Sequence, residues 1–145
     1  MKNKKFVKSI IISIIILFNT HLHAENIFIE SKNISLDKNK KISIFKDAVI
    51  IKTKENSTIK SEYAEYDKKS NYLKLKNDVV FVDNKNNIIK TENAEYYGNT
   101  KIFTSIGPTK VITSEKYIIE GRDITFDNFK RKIISNNKTT IIDEE

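Results

Sequence analysis

The sequence predicts an all-β protein built from four stacked repeats of 30 residues, in antiparallel strands. Three observations lead there. Residues of like size recur at that period: Ile29, Ile59, Ile89 and Ile119, then small Ser31, Ser61, Thr91 and Gly121 two positions on. Five positions on stand Ile34, Ala64, Ala94 and Ile124, and seven on Leu36, Tyr66, Tyr96 and Phe126. Between these columns lie short β-branched or aromatic runs, and turn residues punctuate them at the same place in every repeat. Outside the leader, no window of a dozen residues shows a helical 3.6-residue period. A fixed period of this length marks one supersecondary unit stacked on copies of itself, because a single unit cannot bury its own apolar face. Function is therefore expected in an elongated body and not in one catalytic pocket.

The first element is a leader, residues 1–24. Lys2, Lys4, Lys5 and Lys8 make a basic start, Ile10 to Phe18 is an apolar run broken only by Ser13, and Leu22-His23-Ala24 ends on a small residue. This pattern predicts a cleaved secretory signal peptide, with the mature chain starting at Glu25 and one domain over 25–145. The apolar run is about half of what a bilayer span needs; an uncleaved membrane anchor is the alternative. The formal charge of +7 is mostly the leader's: without its four lysines, 22 cations face 19 acids. Lys and Glu/Asp are intermixed in the body, which argues against nucleic acid as a partner, since a nucleic-acid binder concentrates its cations on one face. The frequent Ile, Lys and Asn look like a compositional bias. The chain has no Cys, so no disulfide framework holds it.

The body then reads strand by strand. Ile42 to Phe45, Ala48 to Ile51, Asp78 to Val82 and Lys110 to Thr113 are strand-like runs. Turns are expected at Asp37-Lys38-Asn39, Asp67-Lys68-Lys69, Gly98-Asn99 and Asp127-Asn128, with a second break at Lys46-Asp47, Lys76-Asn77, Gly107-Pro108 and Asn136-Asn137. After each first turn, Ser43, Leu73, Phe103 and Ile133 share a column. In the third run Val49 pairs in parity with Ile51, and Val79 with Phe81; Val111 fits if Pro108 marks a shift of one residue. Between the first Ile and the Tyr column the parity changes, which predicts a β-bulge. The opposite face carries Glu, Lys, Asp and Thr.

These residues resemble a known family. Ser61-Glu62-Tyr63-Ala64-Glu65-Tyr66-Asp67, a turn, and Leu73 to Val80 look like the repeat of the organic-solvent-tolerance (OstA-like) domain; Thr91 to Tyr97 repeats the pattern, and Ser31 and Gly121 begin looser copies. That family includes the periplasmic bridge protein LptA and the N-terminal region of the lipopolysaccharide-assembly protein LptD. The resemblance covers Ile27 to Glu145. It departs where a glycine often precedes the third strand: Asp47-Ala48 and Asn77-Asp78 stand there, and only Gly107 survives, followed by Pro108.

The resemblance implies a β-jellyroll, open along one side, whose interior carries the acyl chains of lipopolysaccharide. Two facing sheets would turn inward Ile34, Leu36, Phe45, Val49 and Ile51 from the first repeat, and Ala64, Tyr66, Leu73, Leu75, Val79 and Phe81 from the second. Ala94, Tyr96, Phe103 and Val111 would follow from the third, and Ile124, Phe126 and Ile133 from the fourth. An apolar trough suits such a ligand, since each buried methylene contributes about 0.8 kcal/mol. The same residues would equally make an ordinary sandwich core.

The implied function is a periplasmic protein that binds lipopolysaccharide and passes it toward the outer membrane. The chain could also be the N-terminal part of a larger assembly protein, with membrane contact through partners or a missing C-terminal barrel. An anchored LptC-like protein is a near relative. The expected protein partners are other jellyroll domains, joined end to end by strand pairing, with Thr139 to Ile142 as the uncapped edge. No catalytic residue, metal ligand or cofactor is expected: His21 and His23 both lie in the leader. Glu62 with Glu65, and Glu92 with Glu95, should fall on opposite faces of a regular strand. A secreted β-solenoid adhesin or carbohydrate-binding protein is the alternative, and would favour exposed aromatics on one outer face.

Overall fold

The structure is a computed structural model and describes residues 27–143. The leader and its cleavage site lie outside these residues. All regular structure among the described residues is β, as the repeat predicted. The strands are β1 (Phe28–Glu30), β2 (Asn33–Asp37), β3 (Ile42–Lys52), β4 (Thr58–Asp67), β5 (Tyr72–Val82), β6 (Ile88–Tyr97), β7 (Ile102–Ile112), β8 (Tyr117–Arg122), β9 (Thr125–Asp127), β10 (Lys132–Ile134) and β11 (Thr140–Asp143). Neighbours pair antiparallel in one continuous order, β1-β3-β4-β5-β6-β7-β8-β11. β2 pairs with β3, β9 with β7, and β10 with β9.

The sheet does not stay flat. β3, β5 and β7 each bend midway, where the register slips between Lys46 and Val49, between Lys76 and Val79, and opposite Thr91 and Asn93. The backbone there is left-handed: φ is 63° and 51° at Asp47 and Ala48, 63° and 52° at Asn77 and Asp78, and 90° at Gly107. Asn, Asp and Gly tolerate that region, and Ala does so at a cost. The bend needs glycine-like backbone but not glycine itself, which explains why the sequence keeps only Gly107. The second set of breaks is thus bulges inside continuous strands in the first three repeats. Only at Asn136-Asn137 does the strand end.

The row of bulges divides the sheet into two leaves. The front leaf holds residues 33–37, 42–46, 63–67, 72–76, 93–97, 102–106, 125–127 and 132–134. The rear leaf holds 28–30, 49–52, 58–61, 79–82, 88–91, 109–112, 117–122 and 140–143. The leaves face each other. Phe81 of the rear leaf meets Phe103 and Phe126 of the front leaf at ring-centroid distances of 4.8 and 5.6 Å. This is the jellyroll that the sequence resemblance implied.

Parity is kept or changed according to which strand takes the extra residue. β5 places Leu73, Leu75, Val79 and Phe81 inward, with three residues at the bend. β4 spends only two there and places Ile59, Ser61, Ala64 and Tyr66 inward. β7 follows β5, so Thr109 and Val111 fall in the Val49/Val79 and Ile51/Phe81 columns without any shift at Pro108. The shortened bend in β4 and β6 also overturns the expected separation of the glutamates. Glu62 and Glu65 both point outward: Glu62 accepts the Ala48 amide at 3.3 Å, and Glu65 the Tyr63 hydroxyl at 2.7 Å.

Candidate functional site

The inward residues form one apolar cluster between the leaves. Phe45, Val49, Ile51, Ala64, Leu73, Leu75, Val79, Phe81, Ala94, Tyr96, Phe103, Val111, Ile124 and Phe126 are buried in it. Tyr66 and Ile133 are partly exposed and pack against it. Ile34 and Leu36 do not join it: they remain 61% and 68% exposed. Their direction is as expected, since Ile34 stands opposite Phe45 and Leu36 opposite Ser43. They sit on β2, the end strand of the front leaf, and both stay open there.

Sequence reasoning left out Ile59 and Ile89, which are fully buried in the cluster, and Ile29 and Ile119, which pack on it. These four are the column that revealed the repeat. The parity change beside this column predicts the bulge found between Lys60 and Tyr63, and following it across that bulge places the four isoleucines inward.

The cluster is packed, not hollow. Phe81, Phe103, Ile51, Ile59, Leu73 and Ile89 have no exposed surface. The leaves are continuous along the bulges, and at the opposite edge their hairpin turns meet.

Side-chain contacts cross that edge. The Lys101 ammonium stands 2.6 Å from the Glu55 carboxylate, and the Asn128 amide donates to the Ser57 hydroxyl at 3.1 Å. Burial pushes the Glu55 carboxyl up, but the Lys101 hydrogen bond and charge, its own backbone amide and the Thr53 hydroxyl together outweigh that and leave it below its usual value.

The last three front-leaf turns form a hydrogen-bonded row. The Gly98 amide donates to the Asn71 carbonyl at 2.8 Å, the Asn71 side chain to that of Asn99 at 3.1 Å, and the Asn128 amide to the Lys101 carbonyl at 3.1 Å. A Cβ on Gly98 would strike the Asn71 side chain at 2.3 Å, so this close approach requires glycine. Between the last two turns lies an open recess of about 480 Å³, lined by Asn99, Thr100, Lys101, Ile102, Asp127, Phe129 and Lys130. A second recess of about 520 Å³ runs beside the bulges and mixes Lys90 and Lys110 with Asp78, Glu92 and Glu120.

The outer face of the front leaf is more aromatic than expected. Tyr63, Tyr72 and Tyr97 stand among the lysines and glutamates there. Glu95 accepts both the Tyr72 and Tyr97 hydroxyls, at 2.8 and 2.9 Å, and the two rings lie 5.0 Å apart. Burial and the Glu65 carboxylate push the Tyr63 phenol up to about 12, and burial with Glu95 raises Tyr72 as well.

Among the described residues no helix is long and apolar enough to cross a membrane. No curated protein matches the chain. A solved structure superposes on it with a TM-score of 0.70 at 13% identity, covering 83% of this chain and 96% of that one. It is LptH of Pseudomonas aeruginosa, described as the LptA homologous periplasmic component of the conserved lipopolysaccharide transport device. At that identity the likeness shows the fold. The family model described as lipopolysaccharide-assembly, LptC-related, matches residues 24–142. The chain belongs to the LptC-related lipopolysaccharide-assembly family.

Proposed function

We propose that this protein is a periplasmic component of lipopolysaccharide transport that carries the lipid's acyl chains between its two leaves. The observation that supports this most is the shape of the apolar cluster. It runs through every repeat, from Phe45 to Phe126, and one of its sides is continuous backbone. Across the other side, side-chain contacts such as Lys101–Glu55 and Asn128–Ser57 join the rims, and among the described residues no backbone pairing does, so that edge is the more lightly held. The basic leader fits export, with Glu25 as the mature N-terminus; N-terminal sequencing of the exported protein tests that, and an intact leader in the inner membrane would favour an anchored protein.

The test of the lipid path compares ligands. The purified chain should bind lipopolysaccharide, and the same molecule stripped of its acyl chains should neither bind nor compete. Equal binding of the deacylated form would move recognition to the sugars. In that outcome the outer tyrosines become the candidate surface, although Glu65 and Glu95 already occupy their hydroxyls.

Passage between proteins would use the ends of the stack. β11 pairs with β8 along one side, and among the described residues no strand lies on its other side. A like domain can add there by backbone pairing. Ile141→Pro removes an amide hydrogen and should weaken such docking while most β signal remains. Unchanged binding to a partner jellyroll would exclude this edge.

A further inference from the structure

The two rims of the lightly held edge differ in charge. The four front turns, residues 37–41, 67–71, 97–101 and 127–131, carry +2, +1, +1 and +1. The three rear turns, residues 53–57, 83–87 and 113–116, each hold one lysine and one acid and are neutral. The front rim thus carries +5, more than the net +3 of the whole body. A general enrichment in lysine would have filled both rims alike.

The front-rim aspartates are turned into their own turns, as Asp83 is on the rear rim, so the contrast lies in the number of exposed cations. Asp37 accepts the Asn39 and Lys40 amides at 3.0 Å each, Asp67 the Lys69 amide and Ser70 hydroxyl at 2.8 Å, and Asp127 the Lys130 amide at 2.9 Å. The Ser70 hydroxyl and the Lys69 amide hold the Asp67 carboxyl below its usual value. Lys40, Lys68, Lys69 and Arg131 are exposed. Successive front hairpins lie about 10 Å apart, two strand spacings, and hydrogen bonds join the last three turns in a row.

We infer that the front rim binds the phosphate groups of the transported lipid's sugar headgroup, so that the lipid lies in one orientation across the edge. The inference rests on the acyl-chain path proposed above. A lipid whose chains lie between the leaves must leave its headgroup at the parted edge, and phosphates there meet a basic rim on one side and a neutral rim on the other. In the recess between the last two turns Lys101 and Lys130 already hold ion pairs with Glu55 and Asp127, and Asn99 and Thr100 donate to the Ser70 and Tyr97 carbonyls, so the exposed cations of the other turns carry the inference.

The experiment uses the full chain and three probes: a doubly phosphorylated lipid A, its dephosphorylated counterpart with the same acyl chains, and inorganic phosphate. Wild type at low salt should prefer the phosphorylated lipid by about tenfold. The preference should fade as salt rises. The triple variant Lys40→Gln, Lys68→Gln, Lys69→Gln should lose it. The matched rear-rim variant Lys54→Gln, Lys85→Gln, Lys116→Gln should keep it, and urea midpoints check that both fold. Equal binding of the two lipids to wild type would overturn the rim assignment while leaving the acyl path intact. Equal loss in both variants would overturn it in favour of general charge. Displacement of the lipid by inorganic phosphate at similar concentrations would overturn the headgroup as the ligand. Failure to bind even the dephosphorylated lipid would remove the acyl path and this inference together.

Discussion

Lys101 and Glu55 lie 46 positions apart in the chain and 2.6 Å apart in space, and their ion pair joins the rims of the two leaves. Both side chains are mostly covered, so the pair is better shielded than an open surface bridge. With Asn128 and Ser57 it forms a side-chain latch on the edge where the hairpin turns of the two leaves meet.

Opening the latch should loosen one edge and leave the other alone. The double variant Lys101→Met, Asn128→Ala should lower amide protection in residues 53–57 and 97–101, but not around Val49 and Val79 beside the bulges. The stability cost should be about 1–2 kcal/mol at most. Hydrogen exchange read by mass spectrometry checks this. Unchanged protection at both rims would mean that the edge is held by the packed interior and not by these contacts.

The latch should also weaken in acid. Glu55 has a lowered pKa in the folded protein. Its contribution to stability is therefore fully present above the ordinary carboxylate value of 4.5 and is lost as the pH falls through the lower folded value. Carbon NMR should place the Glu55 midpoint below 4.5. Lys101→Met removes the principal lowering partner and leaves burial, so the midpoint should rise. A midpoint that ignores Lys101 would dissolve the pair in solution.

The cluster makes unequal demands on its members. Phe81 is fully buried against Phe103 and Phe126, so Phe81→Ala should cost about 3–5 kcal/mol. Ile34→Ala, on the exposed end of the front leaf, should cost less than about 0.5 kcal/mol. Urea denaturation of the two variants decides. A large loss from Ile34→Ala would mean that another part of the chain covers β2.

Ala48 is the least suited residue in the row of bulges, with φ at 51° and a Cβ that opposes it. Ala48→Gly should raise stability by about 0.5–1 kcal/mol, the left-handed strain relieved less the backbone freedom gained on unfolding. Gly107→Ala should lower it: a Cβ there meets nothing within 4 Å, but φ at 90° remains strained. Thermal melts of the two variants should move in opposite directions, and a shared direction would contradict the role given to the backbone.

Much of this architecture was legible in the residues because size and polarity repeat with the period. Turns starting at Asp37, Asp67 and Asp127 were visible since each aspartate caps its own turn. The change of parity between the Ile column and the Tyr column marks the bulge in β4, but not that the bend takes three residues in β5 and two in β4. A regular strand places Glu62 and Glu65 on opposite faces, whereas the two-residue bend turns both outward. The contrast between rims was not legible at all. Residues 53–57 and 97–101 become neighbours only once the leaves fold over the bulges, and a lysine count has no sense of which rim it describes.

The central claim is that acyl chains travel between the leaves, and photo-crosslinking in cells tests it most directly. A photoreactive phenylalanine analogue placed at Phe103 or Tyr66, both inward, should trap lipopolysaccharide, while the same group at Lys74, outward on the same leaf, should not. Circular dichroism must show that each protein keeps its β signal. Labelling at Phe103 and Tyr66 with none at Lys74 is the predicted result; equal labelling at all three sites, or none at any, would contradict the account.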